Sequence, residues 1–222
     1  MKILCIADHI DPLVYSASVK ERFRDVGLVL SAGDLPLNYY DFIVSTLNKP
    51  LLFVFGNHNL RGMEQFRGAP DVVGRFPPQR REVDPPATGA TYVSGRVRRE
   101  KGVLVAGLGG SRWYNGGENQ YTDLQAYLRL AVLAPRLLVN RLRFGRYLDV
   151  LLTHAPPLGV QDGQDPCHRG FRALLWFMRV FKPRYLVHGH IHLYSSDAAR
   201  VSRYGQTTVV NAYDHALIEV PT

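Results

Sequence analysis

Apolar, β-prone runs recur along this chain, and most close on a glycine or a polar residue. They span residues 3–7, 28–31, 51–55, 102–108, 149–152 and 185–187, with two more at 207–211 and 216–220. Near-continuous rather than alternating apolar positions are those of strands buried on both faces. Residues 14–26 (VYSASVKERFRDV) predict a helix ended by Gly27, and residues 39–47 a second, closed by Asn48 and stopped before Pro50. Farther on, 118–143 reads as largely helical with an interruption near Pro135, and 169–181 as a helix ended by Lys182-Pro183. Strands alternating with helices in this way predict a layered α/β fold.

Residues 60–100 break the rhythm. Pro77-Pro78, Pro85-Pro86 and Gly89, mixed with Arg80-Arg81 and Arg98-Arg99, predict long loops around a site rather than a linker between domains. With 222 residues and 46% hydrophobic content, the expectation is one well-packed domain over 1–222. No apolar run approaches the roughly 18 residues of a membrane span. The first strand is reached by Ile3, which leaves no room for a signal peptide. Cys5 and Cys167 have no paired spacing, so no disulfide framework is expected and a reducing cytoplasm fits.

The formal charge of +8, carried mostly by arginine, favours anionic partners: phosphate groups, nucleic acid or an acidic membrane surface. Arg129, Arg136 and Arg143 recur at a spacing of seven, with Arg146 nearby and Leu130, Leu133, Leu137 and Leu138 on an apolar side. That pattern belongs to a core-packed helix with a charged outer face, and also to a basic segment lying on a membrane. The expected location is therefore cytoplasmic, with peripheral membrane attachment as the second reading. Aromatic–basic interleaving and a recognition-helix motif, the marks of nucleic-acid readers, do not occur.

The chemistry sits where the strands end. Asp8 follows the first run, and Gly33-Asp34, Gly56-Asn57-His58-Asn59, Thr153-His154-Ala155-Pro156-Pro157 and Gly189-His190-Ile191-His192 follow later ones. Strand C-termini converging on one edge form the ligand-binding edge of an open α/β sheet. One Gly-Asp pair alone is a turn, and one Gly-His-x-His alone is weak. Together they gather carboxylates, an amide oxygen and imidazoles, a set suited to Mn²⁺, Fe²⁺ or Zn²⁺. On an extended strand end, His190 and His192 would point to the same side, and His188 would pack in the core or else support the metal ligands from behind. Asn57 and His58 would leave in different directions. Arg61, Arg112, His168 and Arg169 lie near these motifs, as candidate contacts to phosphate oxygens or other parts of a substrate.

The ordered series Asp8, Gly33-Asp34, Gly56-Asn57-His58, His154 and Gly189-His190-Ile191-His192 resembles the calcineurin-like metallophosphoesterase family. The resemblance covers most of the chain. It implies a four-layer αββα sandwich with two divalent metals about 3.5–4 Å apart. Mn²⁺ would be the leading choice, with Fe, Zn or Ni as alternatives. It also implies that Asp34 bridges the metals, that Asn57, His154 and His190 hold the second, and that Asp8 and His192 hold the first. His58 would bind no metal and would assist the leaving group of a phosphomonoester or phosphodiester attacked by a metal-bound hydroxide. The first motif departs from the family's Asp-x-His, because Ile10 stands where the histidine would be. Asp11 is the first candidate to fill that place and His9 the second; water would fill it otherwise. The alternative functions are a degenerate scaffold and a nucleic-acid-binding protein that keeps a metal site.

Overall fold

The structure is a computed structural model that describes residues 1–66, 88–194 and 199–221. The expected loop signals at Pro77-Pro78, Arg80-Arg81 and Pro85-Pro86 fall outside those residues. In chain order, the first half of the chain forms β1 (Lys2–Ala7), α1 (Val19–Arg22), β2 (Val26–Ser31), α2 (Leu37–Leu47) and β3 (Leu51–Phe53). There follow α3 (Met63–Phe66), β4 (Thr91–Tyr92), β5 (Val97–Glu100), β6 (Val103–Leu108), β7 (Ser111–Arg112) and β8 (Gln120–Tyr121). The rest comprises α4 (Asp123–Ala131), α5 (Ala134–Phe144), β9 (Val150–Thr153), α6 (Arg172–Phe181), β10 (Tyr185–His188), β11 (Val201–Tyr204), β12 (Thr207–Asn211) and β13 (Asp214–Glu219).

One sheet has the order β13-β1-β2-β3-β4 and the other β11-β12-β10-β9-β6-β5; β7 and β8 pair separately. Strands β1, β2, β3 and β4 run parallel, as do β6, β9, β10 and β12; β13, β11 and β5 are antiparallel edges.

Side-chain alternation turns these sheets into layers. On β1, Ile3, Cys5 and Ala7 join one buried cluster, while Leu4 and Ile6 join another. The first cluster also takes Leu28 and Leu30 from one sheet and Val105, Leu152 and Val187 from the other, so it fills the space between the sheets. The second unites the outer face of the first sheet with Tyr39, Tyr40 and Ile43 of α2. A third unites Leu104, Ala106 and Leu151 with α4, α5 and α6, through Leu130, Leu137, Leu174 and Phe177. Three apolar interfaces separate four layers, and the fold is the αββα sandwich. Each fully buried Leu or Ile side chain contributes roughly 1.5–3 kcal/mol to holding those layers together.

Local chemistry explains where the elements depart from the sequence pattern. The helix expected over 14–26 shrinks to Val19–Arg22. Upstream, Asp11 Oδ1 accepts from the Leu13 amide at 2.7 Å and Ser16 Oγ donates to the Leu13 carbonyl at 3.3 Å, so side chains compete for backbone groups. Downstream, Val26 is already paired within β2, opposite Lys2. The interruption near Pro135 is real: α4 stops at Ala131, and Pro135 opens α5, where its missing N–H costs nothing. Helix α6 starts at Arg172 rather than 169 because Phe171 is extended and paired with Pro157, its amide donating to the Pro156 carbonyl at 3.0 Å.

Asp149 pins the base of the second sheet. It is fully buried, receives Arg146 Nε at 2.7 Å and Nη2 at 3.0 Å, and accepts from the Leu104 amide at 2.9 Å. Removing the carboxylate leaves the Leu104 amide unsatisfied and strips both Arg146 and Arg184 of their counter-charge. Asp149→Ala should therefore lower the unfolding free energy by about 3–5 kcal/mol, as read by urea denaturation. A loss under about 1 kcal/mol, the scale of an exposed pair, would refute this role.

Candidate metal centre

Parallel strands deliver the polar residues to one edge of the sandwich. Asp8 follows β1, Asp34 follows β2, Asn57 follows β3, His154 follows β9 and His190 follows β10. Three of these turn out of their strands in the left-handed region, with φ of 65° at Asp8, 58° at Asp34 and 67° at His190. Such backbone costs on the order of 1–3 kcal/mol for a residue with a Cβ, and persists only where neighbours over-determine it. Here they do. The Asp8 amide donates to the Gly33 carbonyl at 3.1 Å, and the Asp8 carboxylate receives the His190 amide at 3.0 and 2.9 Å. The His58 amide donates to Asp34 Oδ1 at 2.8 Å, and Asn59 Nδ2 donates to the Asp34 carbonyl at 2.9 Å.

His154, fully buried, organises the centre. Its Nδ1 lies 2.8 Å from the Ala32 carbonyl, and its Nε2 lies 3.3 Å from Asp34 Oδ2 and 3.1 Å from Asn57 Oδ1. All three neighbours are acceptors, so the ring donates from both nitrogens and is an imidazolium. Burial works against that charge, but the Asp34 carboxylate outweighs it and raises the His154 pKa to about 9. Burial would likewise raise Asp34, yet the charge and N–H of His154 and the His58 amide bring it down to about 2. At Asp8, burial wins over the attraction of His154 and pushes the carboxyl up to about 7.

Ligand atoms of Asp8, Asp34 and His154 lie within 4.8 Å of one another. Asn57 shares His154 Nε2 with Asp34, and the His190 ring stands 4.9 Å from the His154 ring. His190 Nε2 donates to the Cys167 carbonyl at 2.7 Å, which leaves Nδ1 without a proton. Burial and the charge on His154 lower its pKa to about 3, so it is the neutral imidazole that a metal requires. The donor set fits a divalent cation, because the His154 Nε2 proton occupies the place among oxygen donors that a cation would take.

The remaining candidates lie apart. The chain does not stay extended through the Gly-His-x-His motif: β10 ends at His188, and His190 takes a positive φ. His190 and His192 therefore go to different neighbours. His192 is exposed, its Nδ1 hydrogen-bonded to the Tyr194 hydroxyl and its ring 4.9 Å from Tyr213. Asp11 is bound to His215 Nδ1 and stands outside the Asp8–Asp34–His154 group. His9 pairs with Asp214 at 2.7 Å. Both side chains considered for the place of the absent histidine thus have other partners. His58 is exposed at the mouth; His168 bonds Asp165 at 2.9 Å, and its ring lies tilted 5.4 Å from that of His190. Arg61 and Arg169 are exposed and Arg112 half-buried, and none of the three guanidinium groups has a hydrogen bond or ion pair among the described residues. His188 is a buried core residue held by Gln161 at 2.7 Å.

Sequence reasoning missed the supports. Tyr114 Oη accepts from Asn57 Nδ2 at 3.3 Å. Asn119 donates to the Phe55 and Gly56 carbonyls, and the Gly110 amide joins it on Phe55 at 2.8 Å. Only the Gly109-Gly110 doublet gave a signal: a Cβ on Gly109 would stand 2.5 Å from the Phe55 carbonyl. Gly56 is as constrained, since its Cβ would press on the Asp34 carboxylate and come 2.5 Å from His154 Cε1.

A mixed α/β sandwich with such a cluster at its strand ends is the architecture of a metal-dependent phosphoesterase. The chain belongs to the calcineurin-like phosphoesterase family, whose family model matches residues 1–194. No curated protein sequence matches it. Among solved structures it is similar to TT1561 of Thermus thermophilus, at 16% identity and a TM-score of 0.59, covering 96% of this chain and 89% of that one. It is also similar to GAP50, the anchor in the inner membrane complex of Plasmodium, at 12% identity and a TM-score of 0.52, over 95% of this chain and 70% of that one. These likenesses show the fold. Members of the family typically bind divalent metals.

Metal capture should release protons. In the metal-free protein, His154 is protonated below about pH 9 and Asp8 below about 7, so affinity should rise with pH through that window. Calorimetric titration at neutral pH in two buffers of different ionisation heat reads the release; identical heats would contradict it. Gly56→Ala should weaken metal binding by roughly tenfold or more. Metal analysis after dialysis checks this, and a fully loaded variant would show the close approach to be dispensable.

Proposed function

We propose that the chain hydrolyses a phosphomonoester or phosphodiester at a two-cation centre. The observation that carries the reading is the close group of half-buried Asp8 with buried Asp34 and His154, extended by Asn57 and His190. Asp34 would bridge the two cations; Asn57, His154 and His190 would hold one, and Asp8 the other, joined by His192 once its ring leaves Tyr194. Mn²⁺ is the cation proposed. When bound, the cations lower the pKa of a coordinated water and offset charge on the phosphate oxygens.

The protein's own groups do the rest. Asp34 is fixed by the His58 amide and by His154, so its carboxylate is positioned before substrate arrives. His58, exposed beside it, would face the substrate. As the water oxygen bonds to phosphorus and the ester P–O bond breaks, the water would lose a proton to solvent and the His58 ring would give one to the departing oxygen, to be reprotonated afterwards. Arg61, Arg112, His168 and Arg169 are proposed to contact the rest of the substrate.

A second reading has one observation in its favour. Asp11 and His9 are engaged by His215 and Asp214, so the first cation has fewer side chains than the second. A scaffold that retains one metal and no activity is the alternative.

Added Mn²⁺ should give hydrolysis of a chromogenic phosphodiester or monoester, and chelator should abolish it. His58→Ala should keep its metal while the rate falls roughly 10²–10⁴-fold, and less for a nitrophenolate leaving group that needs no proton. An empty centre in His58→Ala would show that this residue binds metal. Full metal content with no turnover in the wild type would favour the scaffold.

A further inference from the structure

Helix α5 shows solvent an apolar crest between basic flanks. Leu137 and Asn140 face the core, so the opposite pole carries Leu138, Val139 and Leu142. Leu142 is 86% exposed, the highest value among the exposed large hydrophobic residues of the described chain. Arg141 flanks the crest on one side, and Arg136 and Arg143 on the other. Beyond Arg143, Arg98 and Arg99 of β5 complete an open groove of about 160 Å³ floored by Leu104 and Phe144.

The charges here are unbalanced. Arg98, Arg99, Arg136 and Arg143 have no hydrogen bond or ion pair among the described residues; Arg99 only lies over the Phe144 ring at 4.9 Å. Helix α5 contains no carboxylate, and β5 contains only Glu100. Packing of the helix explains Leu133 and Leu137, which are buried, but leaves Leu138 and Leu142 exposed.

We propose that this face docks the protein on an anionic lipid bilayer. The crest itself is convex and aliphatic and the groove beside it is ringed by arginines, which suits insertion of the crest among acyl chains with lipid phosphates in the groove. The flanking arginines can lie along the crest and raise their guanidinium groups to lipid phosphates. A second copy of the chain is disfavoured, because it would set these arginines against their own equivalents. The face is built from α5 and β5, away from the strand ends that carry the metal centre, so docking does not depend on catalysis.

The test is co-sedimentation of the full chain with phosphatidylcholine vesicles, with and without phosphatidylglycerol. Binding should require the anionic lipid and weaken with salt. Arg136→Gln and Arg143→Gln should each reduce partitioning about fivefold, and Leu142→Glu or Leu142→Ser roughly tenfold or more. Both leucine variants should keep the wild-type melting temperature, since the side chain packs on nothing. The proposal is overturned by equal binding to both vesicle types, by no binding at low salt, or by full binding of Leu142→Glu. Salt-sensitive binding to single-stranded RNA that is indifferent to Leu142 would overturn it in favour of nucleic acid.

Discussion

The arrangement at His154 is the interaction on which the centre depends. One imidazole faces the Ala32 carbonyl, the Asp34 carboxylate and the Asn57 amide oxygen, and apart from it the carboxylate receives the His58 amide. In a protein interior such a set of acceptors is tolerated only if a positive charge sits among them. A second proton on His154 supplies that charge in the metal-free protein, and a cation supplies it otherwise. The fold is therefore built around a place that must be positive. That requirement explains how two carboxylates, Asp8 and Asp34, come to lie at the mouth of a core filled with Ile, Leu and Val.

Around this place the backbone is held in conformations it would not choose. Asp8, Asp34 and His190 are left-handed, and each is tied by hydrogen bonds that cross from one strand end to another. Gly56 and Gly189 permit the approach, since a Cβ on Gly189 would stand 2.6 Å from that of Ala7. The strand ends of the two sheets meet at these contacts. Packing between the sheets thus sets the ligand spacing, and strain at the centre is sustained by the buried area behind it.

Much of this was legible in the chain. Long apolar runs exposed the parallel strands, and the polar residue at each run's end announced which edge carried the chemistry. Helix α2 kept its predicted end, because Asn48 adopts the left-handed cap and Pro50 forbids continuation. The short edge strands β5 and β11 were not legible: their exposed, arginine-bearing sequences look like loops, and pairing alone makes them strands. The failed helix before Gly27 teaches the same lesson, since helical propensity lost to hydroxyl and carboxylate bonds with the local backbone.

What the sequence determined by itself was the order of strands and the residue type at each strand end. Both are properties of neighbours along the chain: an apolar run must be buried, and the residue that follows it must turn at the sheet edge. Which ligands meet was decided only in three dimensions. Asp11 sits three residues from Asp8, yet its carboxylate belongs to His215, more than two hundred positions away. His192 sits two residues from His190, yet one positive φ sends it to Tyr194 and Tyr213. Asn119 and Tyr114 support Gly56 and Asn57 from a distant loop, with no motif to mark them. A side chain's direction depends on the dihedral angles of its turn and on partners brought from elsewhere, and neither is written in local spacing.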